Sequence, residues 1–279
     1  MIWTNERNLP APLVSAIRND PYKAVGDISV TALLKPPKVR ALEFVHKEEI
    51  TEDVSDHVWR LLGQSVHAIL ERADTSNHLA EERLSADVMG WTVSGQVDLL
   101  DSEGVLTDYK VTSVWSFLLG DKPDWEAQAN IYRWLYKKAG FDVKKLQIVA
   151  ILRDWTSSRA DDEGYPNCAI HVVDIPIWDD AKVLKFVEER VALHQAALRS
   201  VAGVNCSDEE RWARPDTWAV KKAGAKRAKR VFKNPQEAQQ MAAAEKLEVE
   251  HRPGENVRCE RFCVVSRWCA QFQAMKVAA

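Results

Sequence analysis

Between Glu52 and Arg72 the apolar residues Val54, Val58, Leu61, Leu62, Val66 and Ile69 recur at three- and four-residue steps. That spacing predicts an amphipathic helix. The pattern then changes. Residues 83–111, RLSADVMGWTVSGQVDLLDSEGVLTDYKV, are rich in β-branched side chains and punctuated by Gly90, Gly95 and Gly104, which predicts three strands joined by turns. A helix is expected from Trp125 to Ala139, with Gly140 as its C-terminal cap. LQIVAILRDW (146–155) and CAIHVVDIPI (168–177) read as buried strands, and Asp179–Ser200 as another amphipathic helix. Residues 1–50 read as an irregular arm, because Pro36 and Pro37 interrupt any long helix. After Val204 the chain becomes basic and aromatic and ends in cysteines. The expected organisation is an arm (1–50), an α/β core (51–204) with a central mixed sheet flanked by helices, and a basic, Cys-rich C-terminal appendage (205–279).

Composition narrows the class. The 279 residues are 46% hydrophobic and 28% charged, as in a globular protein. The net charge is −3, so any nucleic-acid binding must use a local basic surface or metal ions that offset the protein's carboxylates. No apolar run is long enough to span a membrane, and MIWTNERNLPAPLV lacks the apolar core of a signal peptide. A cytoplasmic, reducing location is expected, where clustered thiols are read first as metal ligands.

Four short pieces then fall in a chemically meaningful order: Gly63-Gln-Ser-Val-His67 on a helix, Gly95-Gln-Val-Asp98 on a strand, Asp108-Tyr-Lys110 on the next strand, and Gln128-Ala-Asn-Ile-Tyr132 on a helix. Phosphodiester hydrolysis needs a divalent ion at the phosphate and a positioned water. Hard cations such as Mg²⁺ take carboxylate oxygens, which Asp98 and Asp108 can supply. Asp108 and Lys110 share one face of a strand, because the side-chain period is two. Lys110 can therefore orient the nucleophile or stabilise developing charge. The backbone carbonyl of Tyr109 is a further candidate ligand. The imidazole of His67 would shift preference toward Mn²⁺, and Gly63 would leave room for close approach. Glu82, at the start of a strand, is read as a solvated carboxylate, Glu71 as a surface residue and Asp101 as a turn residue.

GQSVH, GQVD, DYK and QANIY together resemble the RecB-like branch of the PD-(D/E)xK nucleases, which includes the nuclease domains of recombination helicase complexes and the CRISPR-adaptation nucleases. The resemblance covers residues 58–155; the N-terminal arm and C-terminal half also look like phage-encoded exonucleases. It implies a restriction-endonuclease-like core and a divalent-metal-dependent DNA exonuclease. By that resemblance His67, Asp98 and Asp108 would bind metal, Lys110 would be catalytic, and Gln128 and Tyr132 would line the site and contact DNA. A structure-specific endonuclease, or a catalytically weak DNA-binding subunit of a recombination complex, are the alternatives. A recombinase, helicase or single-strand-binding protein would be a fitting partner, and the chain could form an oligomer.

Cys259, Cys263 and Cys269 form a C-x3-C-x5-C run, and three soft ligands need a fourth. Cys206 is the expected fourth, with His251 in reserve and Cys168 read as a buried core thiol. A [4Fe-4S] cluster is preferred and a structural Zn²⁺ is the alternative; RecB-like relatives with a C-terminal iron–sulfur run resemble this arrangement, although their fourth cysteine lies upstream of the nuclease motifs. Finally, VKKAGAKRAKRVFK packs seven Lys and Arg into 14 residues. Lys226, Arg227, Lys229 and Arg230, with Trp212 and Trp218, make a candidate single-stranded DNA surface; a solvated loop with two core tryptophans is the other reading.

Overall fold

The computed structural model describes residues 1–19, 25–72, 78–79, 83–119 and 122–278. Ser29 starts helix α1 (Val30–Leu34), its hydroxyl accepting from Ala32 N at 3.2 Å. Pro37 opens α2 (Pro37–Val45) in the first turn, where a missing N–H leaves nothing unpaired. The expected irregular arm is thus partly helical, and Ile28, Val30 and Leu33 are almost wholly buried. Helices this short carry too few turns to show a period in sequence.

Helix α3 (Val58–Leu70) follows a 3₁₀ turn at Val54–His57, so the predicted helix starts later than Glu52. The next region contains four strands rather than three: β1 (Arg83–Val88), β2 (Trp91–Gln96), β3 (Leu99–Asp101) and β4 (Val105–Thr112). A bend at Val97–Asp98 splits what reads as one strand. Helix α4 (Pro123–Lys138) then crosses over to β5 (Lys145–Leu152), which pairs with β4 in parallel from Val105↔Lys145 to Thr112↔Leu152. β6 (Ile170–Ile175) adds antiparallel to β5, and α5 (Asp180–Arg199) follows.

The main sheet is mixed, in the order β6-β5-β4-β3 followed by the short strand His78–Leu79. β1 and β2 form a second sheet with Ile28–Ser29. This is an α/β architecture with a central mixed sheet, as expected. α4 buries Ala129, Ile131, Leu135 and Tyr136, which share one core with Leu106, Leu146, Val183, Val187 and Val191. Each large apolar side chain contributes about 1.5–3 kcal/mol of burial. Asn130, fully buried in α4, is paired throughout: its amide donates to Glu126 O and Pro176 O, and its carbonyl accepts from Trp178 N.

The C-terminal region holds a three-stranded antiparallel sheet, β7 (Thr217–Lys221), β8 (Arg230–Phe232) and β9 (Glu248–Arg252), in the order β8-β7-β9. Helix α6 (Pro235–Glu245) covers it over Val220, Phe232, Ala238 and Ala242. After α7 (Val257–Arg261) and α8 (Ala270–Ala278) the chain joins its own beginning: Cys206, Val265, Cys269 and Phe272 share a core with Val39, Leu42 and Ile50. Among the described residues no helix is long and apolar enough to cross a membrane.

His194 in α5 links helix packing to pH. It is 1% exposed, and its Nε2–H donates to Leu33 O at 3.0 Å. Burial lowers its pKa from 6.5 to about 4. The unfolded chain therefore takes up a proton between these values that the folded chain refuses. The His194 contribution is complete above pH 6.5 and is lost as pH falls toward 4, costing about 3 kcal/mol in all. Urea unfolding between pH 7 and pH 4 should show this loss in the native protein, and the His194→Gln variant should lack that part of the slope.

Candidate active site and cysteine pocket

Asp108 and Lys110 lie on β4, beside β5, and their side chains meet on one face as strand geometry requires. Asp108 is 4% exposed, and its Oδ2 stands 2.7 Å from Lys110 Nζ. This buried oxygen is held by the Lys110 ion pair and has no further hydrogen-bond donor. Burial pushes the Asp108 carboxyl up; the Lys110 cation opposes that shift and the Asp98 carboxylate reinforces it.

Asp98 sits on the bend between β2 and β3, a correction to the strand expected for it. The bend has a use. β3 pairs with β4 at Leu99↔Thr107 and Leu100↔Leu106. Beyond that ladder, the Tyr109 N–H donates to Asp98 Oδ2 at 2.7 Å. The carboxylate thus takes the place of a strand partner. Its other oxygen, Oδ1, lies 3.1 Å from His67 Nδ1 of α3. The hydrogen bond to Asp98 raises the His67 pKa, against a smaller effect of burial. Gly63 has open space where a side chain would be, so no close approach depends on it.

The fourth motif acts from below. Gln128 Nε2 donates to the Tyr132 hydroxyl at 2.9 Å, and the Tyr132 ring is 4% exposed within the main core. The Tyr132 ring is a packing surface beneath the site. A Cβ on Gly95 would lie 2.8 Å from Tyr132 Cδ1 and Cε1 and from Val30 Cγ2. The glycine of GQVD and the tyrosine of QANIY are therefore one contact, and it sets the path of the chain into Asp98.

Asp98 and Asp108 both act on the His67 imidazole, and Asp98 and His67 both act on the Asp108 carboxyl. Among the described residues no three His, Cys, Asp or Glu side chains converge on a point that would hold an ion as they stand. The donor set nevertheless fits a hard divalent cation: two carboxylates, an imidazole, and a buried oxygen without a hydrogen bond. Such a cation would take over the charge balance now supplied by Lys110 and His67.

Cys206, Cys259, Cys263 and Cys269 all line one small cavity, with Lys38, Glu210, Arg211 and Arg258 around it. Burial, then Glu210 and the other three thiols, push the Cys206 thiol up to about 12, and burial also raises Cys259 and Cys263. The four thiols line one cavity without converging on a single point as they stand, and they are the ligand type a soft metal centre uses; a cation coordinated there would relieve that penalty. Cys168 and His251 depart from their expected places. Cys168 is exposed just before β6, its thiol against Ile170 O at 3.0 Å. His251 is engaged by Asp216 at 2.9 Å and stacks on Trp218, away from the cavity. Sequence reasoning missed Lys38, which is 3% exposed and donates to Val204 O and Asn205 Oδ1. Nothing local marks it; only the fold brings residue 38 beside residue 206.

Lys226, Arg227, Lys229 and Arg230 are exposed at and beyond the turn joining β7 to β8, with Lys229 paired to Glu245. Trp218 packs into the small core under this hairpin, as the core reading has it. Trp212 is 47% exposed but packs edge-on to Phe262, with Arg258 over its ring, beside the cysteine segment. The two tryptophans therefore do not form one platform with the basic turn. Asp101, expected in a turn, is the last residue of β3, and its carboxylate accepts from Glu103 N and Val105 N across the turn that follows; Glu71 is exposed. Glu82 lies outside the described residues.

No protein-family model and no curated protein matches this chain. Among solved structures it is similar to SSO0001 at 20% identity and TM-score 0.45, over 66% of this chain and 85% of that one. It is similar to an alkaline exonuclease, LHK-Exo, from Laribacter hongkongensis at 14% identity and TM-score 0.32, over 50% of this chain and 66% of that one. A phage-related exonuclease from Haemophilus somnus 129PT is similar at 14% identity and TM-score 0.30, over 70% of this chain and 85% of that one. Likenesses this distant assign no chemistry to individual residues.

The Gly95 contact is directly testable. Gly95→Ala forces a methyl group between two buried side chains and should destabilise the fold by about 1–3 kcal/mol. Tyr132→Leu in the same background should recover part of the loss, as read from urea midpoints.

Proposed function

We propose that this protein is a divalent-metal-dependent deoxyribonuclease acting as an exonuclease on DNA ends, in recombination, repair or replication, with phage DNA a fitting setting. The observation that carries the reading is Asp108: a nearly buried carboxylate beside Lys110, facing an Asp98 that is itself held at both oxygens. A protein does not bury such an acid beside a second one for stability, because burial without compensation is costly.

His67, Asp98 and Asp108 would hold Mg²⁺ or Mn²⁺, with the Tyr109 carbonyl as a further ligand. When bound, the ion would polarise the scissile phosphate and ease deprotonation of the attacking water. The protein's own groups do the positioning. Tyr109 N–H and His67 Nδ1 lock the two oxygens of Asp98, leaving its carboxylate little freedom. Lys110 is placed to orient the water and to offset charge developing on the phosphate. Gln128 and Tyr132 support the floor through Gly95. The four cysteines would hold a structural centre, a [4Fe-4S] cluster in preference to Zn²⁺, that ties residue 206 to the C-terminal segment, which packs on α2. Lys226, Arg227, Lys229 and Arg230 would attract DNA phosphates. A recombinase, helicase or single-strand-binding protein is the expected partner, in the cytoplasm.

The decisive experiment incubates the protein with end-labelled and circular DNA, single- and double-stranded, in Mg²⁺, Mn²⁺ or EDTA. Metal-dependent loss of linear DNA with circles spared is expected. Asp108→Asn should abolish it, and Lys110→Ala should slow it at least about 100-fold. Cut circles would instead mark an endonuclease. Bound but intact DNA under every condition would leave an assembly subunit.

The cysteine centre has its own readout. Protein purified without oxygen should be brown and contain iron and sulfide, and Cys206→Ser should lose both. A colourless protein containing zinc would replace the cluster with a structural Zn²⁺.

A further inference from the structure

The carboxyl ends of the parallel strands β4 and β5 meet at a surface that the reaction chemistry does not use. Arg153 follows β5, and its N–H donates to Thr112 O at the end of β4, at 2.9 Å. Thr112 lies two residues beyond Lys110. The Arg153 guanidinium lies over the Trp59 ring, 4.4 Å from its centroid, at the first turn of α3. Trp59 remains 57% exposed. It precedes His67 by eight residues on the same helix, about 12 Å of rise.

A third element begins at the same place. The short helix Val114–Leu118 follows β4 directly, and Asp154, next to Arg153, accepts from its Val114 N–H at 2.7 Å. This helix carries Trp115, 70% exposed. Lys122 returns to it, donating to Ser116 O and lying 5.8 Å from the Trp125 ring centroid. Two exposed indoles and two cations thus stand at the carboxyl end of the strand that bears Asp108 and Lys110. The outer face of α3 continues the apolar surface with Val58, Leu62 and Ile69, all exposed.

We infer that Trp59, Trp115 and Arg153 form a stacking platform that seats single-stranded nucleic acid at the mouth of the proposed nuclease site. The inference rests on that reading for its location and adds the form of the substrate. Flat, exposed indoles offer a face to unpaired bases, and Arg153 with Lys122 matches the phosphates. A duplex keeps its bases stacked inside and offers these rings no partner. An apolar protein segment would bury the two cations without a counter-charge. A second copy docked about a two-fold axis would set Arg153 near Arg153, like charge against like. Strand ends in parallel sheets are also where open α/β folds take their ligands.

Binding separates this surface from catalysis. Anisotropy of a labelled single-stranded oligonucleotide, and of the matching hairpin duplex, is measured in EDTA, where nothing is cut. Trp59→Ala and Trp115→Ala should each weaken single-strand binding about tenfold, as the loss of one stacked base does, and change duplex binding less than about twofold. Trp59→Phe, which keeps a ring, should restore most of the affinity. Circular dichroism and gel filtration check that each variant stays folded. Single-strand binding that is absent in the native protein, unchanged in both alanine variants, or lost equally with duplex binding would overturn the platform. So would a native dimer that Trp59→Ala splits into monomers, since the occupant would then be a second copy. Strand binding without metal-dependent cleavage would sink the nuclease reading and leave the platform; cleavage with unaltered binding in the variants would do the reverse.

Discussion

β4 and β5 run parallel over eight residue pairs, and a parallel pair cannot be closed by a tight turn. The chain must leave the end of β4, cross the sheet and re-enter at the start of β5. α4 is that crossover, and covering the sheet is what drives its apolar residues inward. Asp108 is buried because it lies inside this covered ladder, opposite Ile148. An acid there is tolerable only beside compensating charge, and Lys110, two residues on, is the nearest that a strand can supply. The site's polarity and the core's packing are thus two consequences of one topological requirement.

The same crossover explains why remote motifs belong together. Tyr132, in α4, points into the core beneath β2, where the absence of a side chain at Gly95 leaves just enough room for its ring. That contact fixes where β2 ends and so where the bend carrying Asp98 begins. Asp98 then completes the β4 edge through Tyr109 and reaches His67 across to α3. The cluster is thus drawn from α3, the β2–β3 bend and β4, and the bend is fixed by its hydrogen bond to β4.

The cysteine pocket repeats the principle with other chemistry. Four thiols and the cations Lys38, Arg211 and Arg258 face one cavity between the first and last parts of the chain. The neutral forms of Cys206, Cys259 and Cys263 are favoured there, since burial and then the neighbouring charges raise their pKa values. A metal centre would exchange that penalty for a crosslink between Cys206 and the Cys259–Cys269 run, closing the intervening loop. The net charge of −3 is compatible with this, because the basic groups are local: at this pocket, at the β7–β8 turn and at the strand ends.

Periodicity in the sequence was sufficient for the long elements. α4, α5, β4 and β5 lie where the period predicts them, because each buries one continuous face or run; β6 also lies where predicted but, as an edge strand, leaves Ile170 and Val172 exposed instead of buried. Residue chemistry and order marked out His67, Asp98, Asp108, Lys110 and the cysteine run. The rest was decided by tertiary packing. The short helices of residues 28–45 have no readable period, yet they complete two cores. The bend at Asp98 is invisible along the chain, since it answers to an unpaired N–H on another strand. Tyr132 reads like a site residue and is a floor, because only the approach of α4 to Gly95 assigns its ring a neighbour. Lys38 beside Cys206 and Arg153 over Trp59 bring residues together from far along the chain. Local sequence encodes period and chemistry; which distant side chains meet depends on how the covered faces pack.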